Sequence, residues 1–130
     1  MPGRRRRAGR RIAPSSLVPR GFMEPCLLLL LRMRARHGYD LVHALAGFGM
    51  VSVDASIVYR LLRSMEASGL IVSQWEQGVS GPARRVYQVT PLGKDRLASW
   101  ASQLREADQG LHHFFDLYAQ HADRGGNEAG

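Results

Sequence analysis

The sequence predicts a mainly α-helical protein with one small β-hairpin, and three observations carry this prediction. Apolar residues recur at helical spacing in three short segments within residues 25–68. Two runs rich in β-branched and aromatic residues, 70–76 and 86–90, flank a loop of glycine, serine and proline. A further helical pattern then occupies residues 91–122. The predicted order is therefore helix, helix, helix, hairpin and long helix.

The first two helices are predicted at residues 25–35 and 39–46. Pro25 suits a first helical turn, where its missing N–H is not needed. The leucine run that follows it predicts a helix buried on nearly every side. The pair His37-Gly38 interrupts the helical pattern and separates the two segments.

Residues 54–68 carry the clearest helical signal, with Asp54 as a natural N-cap and Gly69 as the residue that follows the helix. Steps of about 100° per residue place two stripes on opposite sides of this helix. The apolar stripe consists of Ile57, Val58, Leu61, Leu62 and Met65. The opposite stripe contains two cations, a phenol, a hydroxyl and no acid, and consists of Ser56, Tyr59, Arg60 and Arg63.

The last helix is predicted at residues 91–123, followed by a flexible tail at 124–130. Thr90 provides an N-cap and Pro91 a first-turn proline. Seven side chains then recur in alternating steps of three and four, which predicts a heptad seam made of Leu97, Trp100, Leu104, Ala107, Leu111, Phe114 and Tyr118. A tryptophan on this seam serves either as an anchor between two subunits or as a stacking surface for a flat apolar ligand.

The positive charge is concentrated at the start of the chain. Residues 1–20 hold seven arginines and no acid, which leaves eleven bases and eleven acids in the rest of the chain. We expect residues 1–21 to form a disordered basic arm, either a solubilising tail or an anchor for phosphate groups. A single cysteine, Cys26, excludes an internal disulfide and suits the cytoplasm. The apolar run around it is too short to cross a membrane.

Motifs for catalysis and metal binding are missing from the sequence. It contains no GxSxG, Walker A or GxGxxG motif, and no HxxxH or CxxC pair. His112 and His113 diverge by about 100° on a helix, so a metal site within one chain is not expected, whereas one shared across a dimer stays open. We therefore expect no enzyme activity, no cofactor and no metal.

Three short helices followed by a two-stranded wing predict a winged helix-turn-helix domain at residues 22–90, joined to a long dimerisation helix. The third of the short helices in such a domain enters the DNA major groove, where arginine can bond guanine and hydroxyls suit phosphates. The wing needs a flexible turn, which Gly81 supplies, and cations for the phosphate backbone, which Arg84 and Arg85 supply. The expected partner is double-stranded DNA.

Four segments, EPCLLLLL, HGYDLVHAL, VDASIVYRLLRSMEASGLIVSQWE and GPARRVYQVTPLGKDRLASWA, resemble the PadR family of bacterial winged-helix transcriptional regulators. The resemblance covers residues 22 to about 120 and is greatest to short-tailed members described as polyhydroxybutyrate-responsive repressors. It implies a homodimeric repressor that responds to a small apolar or aromatic effector. The basic segment 32–36 and the arginine-rich arm depart from the family pattern.

The resemblance also assigns roles to single residues. Tyr59 and Arg60 match the recognition helix, Arg84 and Arg85 match the wing, and Tyr39 matches a position where a phosphate contact is expected. The last helix would pack against the first helix of the other subunit. The expected interface or effector pocket then comprises Leu28, Leu97, Trp100, Leu104, Leu111, Phe114 and Tyr118.

Two alternatives of a different class remain open at this stage. A DNA-compacting architectural protein would use the arm and the basic face without sequence preference, and its binding would depend steeply on salt. A winged-helix module that binds protein would show no affinity for DNA at moderate salt.

Overall fold

The computed structural model describes residues 20–78 and 81–129, with side chains described as far as residue 122. The predicted fold class, mainly α-helical with a small sheet, is confirmed. The predicted arm at 1–21 lies outside the described residues except for its last two, which begin a 3-10 turn at Arg20–Phe22. In chain order the elements are α1 (Met23–Met33), β1 (Arg36–His37), α2 (Gly38–Ala44), a second 3-10 turn (Leu45–Phe48), α3 (Ala55–Ala67), β2 (Ile71–Glu76), β3 (Arg84–Val89) and α4 (Pro91–Ala129).

The chain divides into two compact units, one ending at Lys94 and the other beginning at Asp95. In the first unit, leucines of the three short helices form the core. Burial of each such side chain stabilises the fold by about 1.5–3 kcal/mol. The fully buried side chains of this core are Leu27, Leu28, Leu41, Leu45, Val58, Leu62, Met65 and Ile71.

Helix α1 is buried over most of its surface, as predicted, and its exposed apolar side chains are Leu29 and Met33, which are four residues apart and share one face. Leu28, in contrast, has no exposed surface within a single chain. The assignment of Leu28 to a subunit interface was therefore wrong, because a side chain enclosed by its own core cannot contact a second molecule.

Helix α3 begins and ends where its capping residues predict. A carboxylate oxygen of Asp54 accepts hydrogen bonds from the backbone N–H and the hydroxyl of Ser56, both at 3.0 Å. These bonds lower the pKa of Asp54, because they favour its charged form. Gly69 has a φ of 80°, a left-handed conformation that glycine adopts without the steric cost of a Cβ atom.

Ile57 was predicted in the apolar stripe of α3, and this was wrong. Its side chain is 48% exposed, whereas Val58, Leu62 and Met65 are buried. At about 100° per residue, Ile57 lies roughly 140° from Leu62, at the edge of the stripe. The helix therefore presents one apolar side chain beside its polar face.

A three-stranded antiparallel sheet has the order β1-β3-β2, and β1 was not predicted. In this short strand Arg36 pairs with Tyr87 and His37 with Val86. The imidazole Nε2 of His37 lies 2.9 Å from a carboxylate oxygen of Glu76 on β2. These contacts fix the amino end of α2 beside the hairpin.

The start of α4 is tied to the end of α3. The hydroxyl of Thr90 lies 2.6 Å from the carbonyl oxygen of Gly69 and accepts a hydrogen bond from the N–H of Gly93 at 3.0 Å. The backbone N–H of Thr90 also donates to the carbonyl of Leu70 at 3.0 Å. The helix extends to Ala129, so residues 124–129 continue it where a flexible tail was expected. None of the helices in the described part of the chain is long and apolar enough to cross a membrane.

Candidate nucleic-acid interface

The polar face of α3 is exposed, and its one acidic neighbour, Asp54, caps the start of the helix through Ser56. Ser56, Arg60 and Arg63 are all exposed, as their stripe predicted. Within the described residues, no carboxylate lies within ion-pair distance of either arginine. Glu66, the nearest acid in sequence, instead accepts a hydrogen bond from the hydroxyl of Ser73 on β2. The two guanidinium groups are therefore available to an external acceptor.

Tyr59 is half-buried, which corrects its place in the exposed stripe. Its ring lies directly over Gly38, the first residue of α2. A Cβ atom on Gly38 would approach Cε1 of this ring to 2.5 Å and its hydroxyl oxygen to 3.0 Å. Glycine at this position therefore allows α3 to pack closely against α2, with the phenol of Tyr59 between the two helices.

The two wing arginines lie on opposite faces of the hairpin, because side chains alternate along a strand. Arg85 is paired with Trp75 and shares the face of Tyr87, the side chain that enters the core. Its guanidinium carbon lies 5.0 Å from the centre of the Trp75 ring, within the range of a cation–π contact. Arg84 is paired with Glu76 on the other face.

An open cleft of about 610 Å³ lies between the wing, α3 and the amino end of α2. Tyr39 is exposed in this cleft and its ring contacts His43 edge-on, with 4.4 Å between ring centres. The residues that line the cleft carry phenol, indole and guanidinium groups, which are hydrogen-bond donors suited to phosphate oxygens, and one carboxylate, that of Asp40. Its lining residues are His37, Gly38, Tyr39, Asp40, Tyr59, Trp75, Ala83, Arg84, Arg85 and Tyr87.

The cleft thus brings together four of the predicted DNA-binding residues, Tyr39, Tyr59, Arg84 and Arg85. Gly81 is exposed at the turn of the wing but does not line the cleft. Sequence reasoning missed Trp75, which is 63% exposed. Its position opposite Arg85 in the predicted hairpin could have indicated a role, because side chains of opposite residues in a hairpin interact.

The second unit comprises α4 from Asp95 onward. Leu97, Trp100 and Leu104 of the predicted seam are half-buried, whereas Leu111, Phe114 and Tyr118 are exposed. Phe114 and Tyr118 are stacked with 6.2 Å between ring centres, and Phe115 contacts Phe114 edge-on at 5.3 Å. This end of the helix presents a continuous apolar surface.

Side chains that could hold a metal are dispersed. In the part of the chain that the structure describes, no three His, Cys, Asp or Glu residues are grouped closely enough to hold an ion. Cys26 is buried, and burial raises the pKa of its thiol to about 12. This thiol therefore stays protonated, and the cysteine acts as a small apolar side chain of the core.

The three short helices, the exposed cationic helix face and the adjacent wing define a winged helix-turn-helix DNA-binding protein. The family model for the PadR-like transcriptional regulators matches residues 27–99. This match covers more than half of the chain, which therefore belongs to the PadR-like family. The predicted family is confirmed, and the family and the fold are those of transcriptional regulators.

Several known proteins resemble this chain. The transcriptional regulator Rv3488 of Mycobacterium tuberculosis is 39% identical over 70 residues, which are 54% of this chain and 64% of that protein. A PadR family regulator from Eggerthella lenta is 30% identical, with a TM-score of 0.57 over 68% of this chain and 80% of its own. Bacillus subtilis PadR in complex with operator DNA shares the fold, with 23% identity and a TM-score of 0.57. The match covers 65% of this chain and 48% of that chain.

Proposed function

We propose that this chain is a homodimeric, sequence-specific DNA-binding repressor. The observation that carries the proposal is the exposed face of α3, whose two arginines form no ion pair with a described carboxylate, beside a cationic wing. Arg60, Arg63 and Ser56 contact base edges and phosphates in the major groove, which an α-helix fits. Tyr39 and Tyr59 contact phosphates beside it. The wing contacts the adjacent backbone through Gly81, Arg84 and Arg85.

The solved complex of Bacillus subtilis PadR with operator DNA supports the choice of partner, since the two proteins share the fold. The resulting interface would be rich in arginine and poor in acid, as phosphate contacts require. The homodimer also provides a site for regulation. An apolar or aromatic effector binds beside Trp100 in the dimer and alters the spacing of the two recognition helices.

Two exposed apolar surfaces support the dimer. Leu111, Phe114 and Tyr118 form one on α4, and Leu29 with Met33 forms another on α1. Exposed apolar patches of this kind mark protein interfaces, because burial of apolar area favours association. The seam on α4 of one subunit therefore packs against α1 of the other through Leu29 and Met33, in place of the enclosed Leu28.

Lysine at Phe114 is expected to weaken the dimer about a hundredfold, because it places a charge at the centre of the apolar seam. Sedimentation velocity over a concentration series measures the effect. Gln109→Lys is the matched control, since Gln109 is exposed on the opposite side of the same helix and should leave dimerisation unchanged. Equal dimerisation of both variants would contradict the assigned interface.

Alanine at Gly38 tests the role of Tyr59. The added Cβ overlaps the Tyr59 ring, so the ring must move while the backbone stays in place. We expect DNA affinity to fall about fivefold, in line with the loss of one good contact. Thermal unfolding measured by circular dichroism should change little. An unchanged DNA affinity would show that the placement of Tyr59 has no part in binding.

The function itself is tested by selection of duplexes from a random-sequence pool with the full-length protein. We expect one enriched sequence with two half-sites related by a twofold axis, because a symmetric dimer binds a symmetric site. The spacing between half-sites should be about one helical turn of DNA or a multiple of it. Retention of DNA without any enriched sequence would favour the architectural alternative, and no retention at moderate salt would favour a protein-binding module.

A further inference from the structure

A line of hydrogen bonds joins the recognition helix to the wing. Glu66 on α3 accepts from the hydroxyl of Ser73 on β2, at 3.0 Å and 2.9 Å to its two carboxylate oxygens. The same hydroxyl oxygen accepts from Nε of Arg85 on β3 at 2.8 Å. The hydrogen bonds thus link side chains of α3, β2 and β3, and the last of these is Arg85, a cation of the candidate interface.

The carboxylate of Glu66 determines which group donates and which accepts in each of these hydrogen bonds. A serine hydroxyl has one proton to donate and lone pairs to accept with, and a carboxylate can only accept. The hydroxyl proton therefore points at Glu66, which turns a lone pair toward Arg85. Glu66 and Ser73 are half-buried, so water competes little for these bonds. The orientation of the hydroxyl is consequently fixed before any ligand arrives.

Arg85 is held on two sides. Ser73 occupies its Nε–H, and the ring of Trp75 lies against its guanidinium at 5.0 Å. Its remaining donors are the terminal NH₂ groups, which form the two-pronged edge that matches phosphate oxygens. The side chain is exposed in the cleft described above, so this edge is accessible from solvent.

We propose that Glu66 and Ser73 are positioning residues that hold Arg85 in the orientation required for a DNA phosphate. The inference rests on the proposed function of this surface. A free arginine side chain loses rotamer freedom when it binds, and this loss weakens binding. An arginine already fixed by Ser73 and Trp75 has lost that freedom in the unbound protein. The line also sets the distance between Arg85 and the arginines of α3.

Charge and position make opposite predictions for Glu66. Removal of its carboxylate makes the protein more positive by one charge, which on electrostatic grounds alone strengthens binding to DNA. If Glu66 acts by positioning, removal of its acceptor weakens binding despite the added positive charge. The two effects therefore differ in sign, and one titration separates them.

The experiment compares two substitutions of Glu66 that carry the same charge, using full-length protein and the selected duplex. Glu66→Gln keeps an acceptor oxygen for Ser73, whereas Glu66→Met has a similar length and keeps none. We expect Glu66→Met to bind about fivefold more weakly than wild type and Glu66→Gln to stay within about twofold of it. Glu106→Gln, an exposed glutamate of α4, controls for the change of net charge.

Substitutions of Ser73 provide an independent measurement. Ser73→Ala removes the hydroxyl and should weaken binding about fivefold, while Ser73→Thr keeps the hydroxyl and should restore wild-type affinity. In an Arg85→Ala background, neither Ser73→Ala nor Glu66→Met should weaken binding further, because the residue they position is gone. Thermal unfolding of each variant confirms that the fold is retained.

Several results would overturn the inference. Tighter binding by both Glu66 variants would assign a purely electrostatic role to this residue. Additive losses in the Arg85→Ala background would show that Glu66 and Ser73 act by another route. Wild-type affinity of Arg85→Ala itself would remove the role of the wing cation, while the sequence preference of the wild type would keep the proposed function intact. Absence of that preference in the wild type would overturn both.

Discussion

Alanine at both Arg60 and Arg63 is expected to abolish sequence-specific DNA binding and to leave the fold intact. Each arginine that bonds a guanine in two-pronged fashion discriminates against the wrong base by about 1–3 kcal/mol, so loss of both should cost about a thousandfold in affinity for the selected duplex. Both side chains are exposed on α3 and pair with no carboxylate among the described residues. Alanine favours a helix, so stability should change by less than about 0.5 kcal/mol.

A double variant with Lys94→Ala and Arg105→Ala is the matched control for this prediction. It removes two exposed positive charges outside the proposed interface, and it should lower the affinity for all duplexes slightly without changing the preference between them. Titration of each variant with the selected duplex and with a shuffled duplex measures both effects. If the Arg60 and Arg63 variant kept its sequence preference, α3 could not be the element that reads bases.

Alanine at Gly93 is expected to destabilise the first unit by about 3 kcal/mol. A Cβ atom at this position would overlap the carbonyl oxygen of Leu70 and lie 2.7 Å from a methyl carbon of Val89. The first turn of α4 is held against Leu70 by Thr90, so it cannot move away without loss of those hydrogen bonds. Since the obstacle is backbone, relaxation is costly. The unfolding temperature should fall by about 15 °C.

Gly110→Ala is the matched control, and its expected effect has the opposite sign. Gly110 lies in the middle of α4, is exposed, and has nothing within 4 Å of an added Cβ atom. Alanine there should stabilise the helix by up to about 1 kcal/mol, because glycine is a poor helix former. Thermal unfolding of both variants compares the two sites directly. A Gly93→Ala protein as stable as the wild type would show that the close approach of α4 to Leu70 is not required.

Features set by local chemistry could be predicted from the sequence. The bounds of α3 follow from Asp54 and Gly69, which act on the residues next to them. The hairpin follows from its alternating apolar runs and its glycine-rich turn. The exposed state of Arg60 and Arg63 follows from the helical period, which places them opposite the buried stripe. For these features, a window of a few residues contains the interactions that decide the outcome.

Features that depend on contacts between distant segments could not be predicted. Strand β1 has two residues, too few for a periodic pattern, and exists because His37 and its neighbour pair with β3. Tyr59 is half-buried because α2 offers it a glycine, Gly38, and the helical period of α3 carries no such information. Leu28 looked equivalent to Leu29 in a run of leucines, and the packing of α1 alone decides which of them is enclosed.

The central claim, that the winged helix reads sequence, is tested most directly by titration of the chain with the selected duplex and with a shuffled duplex. The titration is made at two salt concentrations, with and without residues 1–21. We predict a preference of about a thousandfold or more, within the range of sequence-specific DNA-binding proteins, that survives removal of these residues. Equal affinity for both duplexes, lost together with the seven arginines of residues 1–20, would contradict the claim.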